Sequence, residues 1–346
     1  MLKLNKTEFQ KILAAVFLLG FSINAFSQVT DARFTPTDDY TIDETFFKLP
    51  LGRSIGATSG LAIHPNGSSF WIFDRCGATD CRGSNLAPIM QFDRQGNHLL
   101  SFGANLFQRP HGLTVDAQGN VWVTDDVGSR DIDTVSEGKG HQVFKFSPEG
   151  ELLMTLGSPG ISGNGPGTFN MPSAVLVAPG GDIFVGDGHG PASNARIVKF
   201  NSRGEYLMTW GSSGEGRHQI HTPHALAMDS AGRLFIGDRG NNRVLIFDQS
   251  GKFIDEWKQF GRPSGMFIDH NDLLYVADSS SSNTPQSNPG FEEGIRVGNV
   301  RDGRISFFIE DPDANGSQEG VIADSDGNIY GSLTAGMALR KYSQSE

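Results

Sequence analysis

The segment Pro110-His111-Gly112-Leu113-Thr114-Val115-Asp116, running into Gly119-Asn120-Val121-Trp122-Val123-Thr124-Asp125, decides the fold because the chain repeats it. The phrase returns as Pro172-Ser173-Ala174-Val175, leading to Asp182-Ile183-Phe184-Val185-Gly186-Asp187. It returns again at Pro223-His224-Ala225-Leu226, before Leu234-Phe235-Ile236-Gly237-Asp238, and at Pro263-Ser264-Gly265-Met266, before Leu274-Tyr275-Val276-Ala277-Asp278. Looser copies flank these four. Thr58-Ser59-Gly60-Leu61 leads to Phe70-Trp71-Ile72-Phe73-Asp74, and Ser317-Gln318-Glu319-Gly320-Val321 leads to Asn328-Ile329-Tyr330.

Several copies also carry a second half, such as Arg196-Ile197-Val198-Lys199-Phe200 followed by Glu205-Tyr206-Leu207-Met208-Thr209-Trp210-Gly211. Short alternating apolar runs split by Asp-x-x-Gly turns are strand and hairpin signals. Four strands in each of six copies, 40 to 62 residues apart, predict an all-β chain folded as a six-bladed β-propeller. Composition agrees. Forty-four glycines, 25 phenylalanines and only 19% charged residues suit turns and strands rather than a helical bundle.

The organisation expected from this pattern is a leader, a lead-in and one ring. Lys3, Lys6 and Lys11 precede the apolar run Ile12–Phe21, and Ala25-Phe26-Ser27 offers a small-x-small site. That is the pattern of a secretory signal peptide over 1–27, which predicts an exported protein, periplasmic or secreted. Residues 28–45 read as a lead-in and 46–346 as a single propeller domain. The last copy lacks a fourth strand, and Phe46-Phe47-Lys48-Leu49-Pro50-Leu51-Gly52 is expected to supply it and close the ring. In an oxidising compartment Cys76 and Cys81 either close a small loop or stay as free thiols. A net charge of −11 disfavours nucleic acid and anionic membrane surfaces as partners, and no segment after the leader is long and apolar enough to span a bilayer.

The chemistry is expected on the ring axis. The first strand of each blade lines the channel, so the residue after the recurrent Pro should face the axis. In order these are Ser59, His111, Ser173, His224, Ser264 and Glu319. Alternate blades thus bring His111, His224 and Glu319 together, which is the ligand set of a catalytic zinc site with an open position. Without a metal, such histidines would only hydrogen-bond to backbone or water. The ends of the second strands reach the same mouth and add Asp74-Arg75, Asp187-Gly188-His189 and Asp238-Arg239. Two arginines near a cation suit an anionic group, because a guanidinium fork matches a carboxylate. His141, His218 and His221 are not expected among the ligands, and the first two read as surface residues.

The repeats resemble NHL repeats. From about residue 46 onward the chain more closely resembles the peptidyl-α-hydroxyglycine α-amidating lyase (peptidylamidoglycolate lyase) family. The resemblance rests on Phe73-Asp74-Arg75, the Pro110–Asp125 segment, His141-Gln142-Val143-Phe144-Lys145, Asp187-Gly188 to Val198, and Pro223-His224 to Asp238-Arg239. It implies a zinc ion on the axis, with His111 and His224 on two of the family's three zinc histidines. Arg75 and Arg239 fall on its two active-site arginines. The third zinc histidine is replaced by Glu319. Gly320 lacks the carboxylate that helps to hold the family's calcium, so calcium is not expected. His189 aligns with the family's active-site tyrosine and could serve as general base. The implied reaction splits an α-hydroxyglycine N–C bond to give an amide and glyoxylate, on a small-molecule or peptide substrate with a carboxylate. Two alternatives stay open: a non-catalytic NHL ring that docks a protein partner, and a metal-dependent, lactonase-like hydrolase.

Overall fold

The computed structural model describes residues 31–127, 138–190, 192–282, 288–313 and 317–345. The leader expected over 1–27 lies outside these residues. Each repeat forms one antiparallel four-stranded sheet, and there are six such sheets. The inner strands are Thr58–Ile63, Pro110–Val115, Pro172–Val177, Pro223–Met228, Pro263–Ile268 and Gln318–Ala323. They define blades one to six. Among the described residues the one helical turn is the 3-10 segment Arg239–Asn241. The ring lies within a single unit, Ala32–Glu346.

The closing strand is not the one the sequence suggests. Blade six is completed by Tyr40–Asp43, which pairs with Leu339–Gln344 in the register Tyr40↔Gln344 to Asp43↔Lys341. It therefore comes from within the segment read as lead-in, and the propeller begins before residue 46. Phe46 and Phe47 are instead wedged between blades six and one, in an aromatic cluster with Phe70, Phe92 and Tyr330. Their apolar character serves inter-blade packing, while the polar Tyr40-Thr41-Ile42-Asp43 suits a half-solvated outer edge.

Blade-to-blade packing holds the ring. The second and third strands are almost wholly buried, as in Ser69–Asp74, Val121–Asp125 and Arg243–Phe247. Their side chains alternate between the two neighbouring blades. Phe70 thus packs in the blade six–blade one cluster and Trp71 in the blade one–blade two cluster. Buried side chains also anchor the turns. Trp122 Nε1 donates to Asp116 Oδ2 (2.9 Å), and Asp116 heads the tight hairpin turn that Gly119 completes at φ +83°.

Two recurrent devices aim residues at the axis. The first is a bulge at the start of every inner strand. Thr58 faces Asp74, but Gly60 faces Phe73, leaving Ser59 unpaired. The same irregularity follows Pro110, Pro172, Pro223, Pro263 and Gln318. A bulge redirects the extra residue out of the pleat, so Ser59, His111, Ser173, His224, Ser264 and Glu319 share one structural position. Glycine after the bulge lets neighbouring blades approach: a Cβ on Gly112 would lie 2.5 Å from Ser173 O, and one on Gly265 2.2 Å from Glu319 O.

The second device is a buried Asp at the end of each second strand in blades one to five. Its carboxylate accepts a backbone N–H from the loop entering the inner strand. Gly56 N, Arg109 N, Asn170 N, His221 N and Arg262 N donate to Asp74, Asp125, Asp187, Asp238 and Asp278, at 2.6 to 3.0 Å. Arg53, Arg196, Arg243 and Arg296 neutralise four of these. The fifth, Asp125, faces Gln142 across the sheet. Burial, uncompensated by a guanidinium, pushes its carboxyl up to about 7.

Candidate metal centre

The bulges bring His111, His224 and Glu319 together as expected, and a fourth residue joins them. His189, on the loop after the second strand of blade three, places its Nε2 3.2 Å from His111 Nε2 and 3.0 Å from His224 Nε2. Glu319 Oε1 lies 3.1 Å from His224 Nε2 and 4.0 Å from His111 Nε2. One donor atom from each of the four, all buried, lies within 4.8 Å of every other.

The outer nitrogens fix which face each ring turns inward. His111 Nδ1–H donates to Ser173 O (2.7 Å), and His224 Nδ1–H to Ser264 O (2.6 Å). His189 Nδ1 lies 2.7 Å from Asp126 Oδ2. With a proton on each Nδ1, the three Nε2 lone pairs point at one another. Facing lone pairs repel unless a cation sits among them. Donors at 2.0–2.1 Å around a tetrahedral ion stand about 3.3 Å apart, close to the Nε2 separations here. The residues present therefore fit a divalent cation.

Electrostatics point the same way. Burial, reinforced by the neighbouring imidazoles or by Arg239, holds all three histidines below the ordinary imidazole range and so neutral, and the Nδ1 hydrogen bonds keep the one remaining proton away from Nε2. Burial works to raise Glu319, but His224, Arg239 and His111 outweigh it and keep the carboxylate well below its usual range. Three neutral imidazoles and one carboxylate form a donor set suited to zinc or another divalent transition metal.

Both arginines expected at the mouth are there. Arg239 Nη1 lies 3.6 Å from Glu319 Oε1 and its Nη2 3.4 Å from His189 Nε2, while its Nε is buried without a partner. Arg75 is 4% exposed and donates from Nε to Pro110 O (3.0 Å). Burial, then repulsion from Arg109, lowers it to about 10. The disulfide Cys76–Cys81 closes the loop that follows Arg75, and Cys81 N donates to Gln108 O beside Arg109 (2.8 Å).

Two residues at the centre carry no sequence expectation. Asp126 is fully buried, and its Oδ2 receives both His189 Nδ1–H and Arg109 Nη1 (2.7 Å each). Arg109 reaches the same spot, 3.3 Å from His189 Nδ1. A comparison across blades carries the signal for Asp126: the residue after the strand-end Asp is Arg75, Gly188, Arg239 or Ser279 elsewhere, and a second Asp only in blade two. Of the histidines set aside, His218 and His221 are exposed. His141 departs from its expected surface position: it is 9% exposed, and its Nδ1 accepts Met171 N–H (3.1 Å), a loop-pinning role.

The centre divides the axis. On one side a channel cavity of about 570 Å³ is lined by the inner strands, with His111 and His224 in its wall and Leu113, Leu226, Met266 and Ile268 beyond. Arg75, Arg109, Arg239 and Arg262 take no part in that lining.

Comparisons with known proteins agree with the architecture. The NHL-repeat family model matches residues 107–130 and 221–247. The chain is 34% identical over 213 residues to NHL repeat-containing protein 3 of Homo sapiens, covering 58% of each chain. It is 32% identical over 327 residues to peptidyl-glycine alpha-amidating monooxygenase B of Xenopus laevis, spanning 84% of this chain and 34% of that protein. Peptidyl-alpha-hydroxyglycine alpha-amidating lyase 1 of Drosophila melanogaster is 37% identical over 169 residues, 45% of this chain and 28% of its own length. The chain thus spans less than two thirds of the length of each of these relatives. Among solved structures, a streptogramin B lyase superposes with a TM-score of 0.57 at 13% identity, covering 88% and 98% of the two chains. A gluconolactonase from Xanthomonas campestris gives 0.56 at 15% identity, covering 85% and 88%.

Proposed function

We propose that this chain, which is similar to NHL-repeat proteins and to peptidyl-α-hydroxyglycine α-amidating lyases, is a zinc-dependent lyase acting on α-hydroxyglycine compounds. The reaction is R–CO–NH–CH(OH)–COO⁻ to R–CO–NH₂ and glyoxylate. The N–C bond breaks, the hydroxyl proton leaves oxygen, the aldehyde forms, and the amide nitrogen gains one proton. The single observation that carries the reading is the convergence of His111, His189, His224 and Glu319 beside Arg75 and Arg239.

His111, His224 and Glu319 would hold the metal, with His189 as a fourth donor at rest. When bound, zinc supplies Lewis acidity toward the substrate oxygen. The remaining work falls to side chains. Arg75 and Arg239 hold the substrate carboxylate, and Arg239 Nε supplies a buried donor that the protein leaves unmatched. His189 takes the hydroxyl proton at Nε2, since burial keeps it neutral, and Asp126 stabilises the resulting imidazolium through Nδ1. The same imidazolium can return the proton to the departing amide nitrogen.

The basic, apolar and small-residue succession over 1–27 supports export, and so does the Cys76–Cys81 disulfide. Cell fractionation with N-terminal sequencing tests it: export predicts a mature chain starting at Gln28 outside the cytoplasm, and full-length cytoplasmic protein contradicts it. For the activity, zinc-loaded protein incubated with N-benzoyl-α-hydroxyglycine should release benzamide and glyoxylate in equal amounts. Full metal loading with no glyoxylate would sink the lyase reading and favour hydrolysis of a lactone on the same ring.

A further inference from the structure

The mouth of the centre carries more positive charge than one substrate carboxylate needs. Four guanidiniums face it, from Arg75, Arg109, Arg239 and Arg262, and the carboxylates among them are Asp126, Glu319 and, beside Arg262, Asp278, which Arg296 already neutralises. The histidines add no negative charge, and a divalent cation would raise the excess further. This concentration of cations stands in a chain whose net charge is −11. Like charges held together in a buried site are costly unless something neutralises them.

The four arginines differ in what they can offer. Arg262 spends its donors on Ser280 Oγ, Arg239 O and Asn242 Oδ1, so it contributes field rather than contacts. Arg75 is tied to Pro110 O and Ser59 Oγ, and Arg239 sits over Glu319 and His189. Arg109 is different. Only its Nη1 is engaged, by Asp126 (2.7 Å), with His189 Nδ1 close by, and its side chain is 20% exposed. Its Nε and Nη2 have no acceptor among the described residues and are not sealed from solvent. Those two donors form the side edge of the guanidinium, a fork that matches a carboxylate. Asp126 clamps the far corner and holds that fork in place. Arg109 also lies apart from Arg75 and Arg239 in sequence, entering from the loop before the inner strand of blade two.

We infer that the ligand of this centre is a dianion, an acyl-hydroxyglycine whose acyl part bears a second carboxylate, and that Arg109 receives this second carboxylate through its Nε and Nη2. The inference rests on the lyase reading for the first carboxylate and the hydroxyl. The charge argument for a dianion stands without it.

The test is calorimetric binding of succinate, glutarate and adipate to the purified metal-loaded protein, against valerate as the monoanion. One added charge-assisted contact of the usual strength corresponds to about a 10- to 100-fold gain. The best diacid should therefore bind at least about tenfold more tightly than valerate in the wild type. In Arg109→Gln the diacid-to-valerate ratio should fall toward one, and Arg109→Lys should recover part of it. Equal affinities in the wild type would overturn the inference, and that comparison holds even if a variant misfolds. An unchanged ratio in a folded, metal-replete Arg109→Gln would overturn the role of Arg109. No arm needs turnover, so the two readings fail separately. Diacid selectivity without glyoxylate release removes the lyase reading alone, while glyoxylate release without selectivity removes the dianion alone.

Discussion

Replacing Asp126 by Asn tests how the centre is built. Asp126 Oδ2 meets His189 Nδ1 at 2.7 Å in a fully buried position, and no other acceptor for that nitrogen exists among the described residues. An amide oxygen can still accept the Nδ1 proton, but the charge that makes the imidazole a better donor and stabilises its protonated form is gone. Loss of such an outer partner ordinarily costs 10- to 100-fold in metal affinity, or about 1.4–2.7 kcal/mol. Asp126→Ala should sit at or beyond the upper end, because it also frees Arg109 to turn toward the histidines. Two assays separate positioning from simple damage. Competition against a chelator of known strength reads metal affinity, and steady-state kinetics over pH 5–9 reads the base. Asp126→Asn should lower kcat more than it raises KM, and should shift the acidic limb of the pH profile downward, since the His189 imidazolium loses its counter-charge. Wild-type metal affinity together with an unchanged acidic limb in Asp126→Asn would show that Asp126 neither orients His189 nor supports its protonated form.

Other consequences follow from the same geometry. Asp125 has a folded-state pKa raised to about 7, so its ionisation opposes folding. Its contribution is harmless near pH 4 and becomes destabilising as pH climbs through 7, worth about 2–3 kcal/mol between pH 5 and 8. Urea unfolding should show Asp125→Asn losing that share of the decline, and a parallel pH dependence in wild type and variant would contradict it. Cys76→Ser/Cys81→Ser removes a loop closed over a sequence separation of five, costing up to about 2 kcal/mol. It should raise KM more than it lowers kcat, because the loop steadies Arg75 and the approach to Arg109. A fall in kcat alone would argue against that. His111→Ala and His224→Ala should each abolish stoichiometric metal binding, measured by elemental analysis, and retention of one metal per chain in either would move the centre elsewhere.

Much of this was legible in the sequence because a propeller repeats its physics as well as its words. The Pro-x position reads directly as an axial position, since every inner strand opens with the same bulge, and even divergent Glu319 obeys it. The strand-end Asp was equally visible, although only the structure shows its structural work, pinning the next loop while the following Arg turns to the axis. The closing strand was harder. Phe46-Phe47 has the stronger apolar signal, but Tyr40–Asp43, half-buried at Tyr40 and exposed beyond it, makes the sheet edge. Arg109 and Asp126 escaped because neither lies on a periodic face. One precedes the inner strand and the other follows the second, and they meet only when the ring closes them onto His189. His141 looked exposed for a similar reason, since a loop position carries no signal of what will cover it.

On the proposed reading, this ring holds one catalytic metal among His111, His189, His224 and Glu319. The most direct measurement titrates zinc into metal-stripped protein while following glyoxylate release from N-benzoyl-α-hydroxyglycine. Release should rise linearly, reach its plateau at one zinc per chain, and be absent from His111→Ala at any zinc level. Turnover in the stripped protein, or a fully loaded protein that releases no glyoxylate, would contradict it.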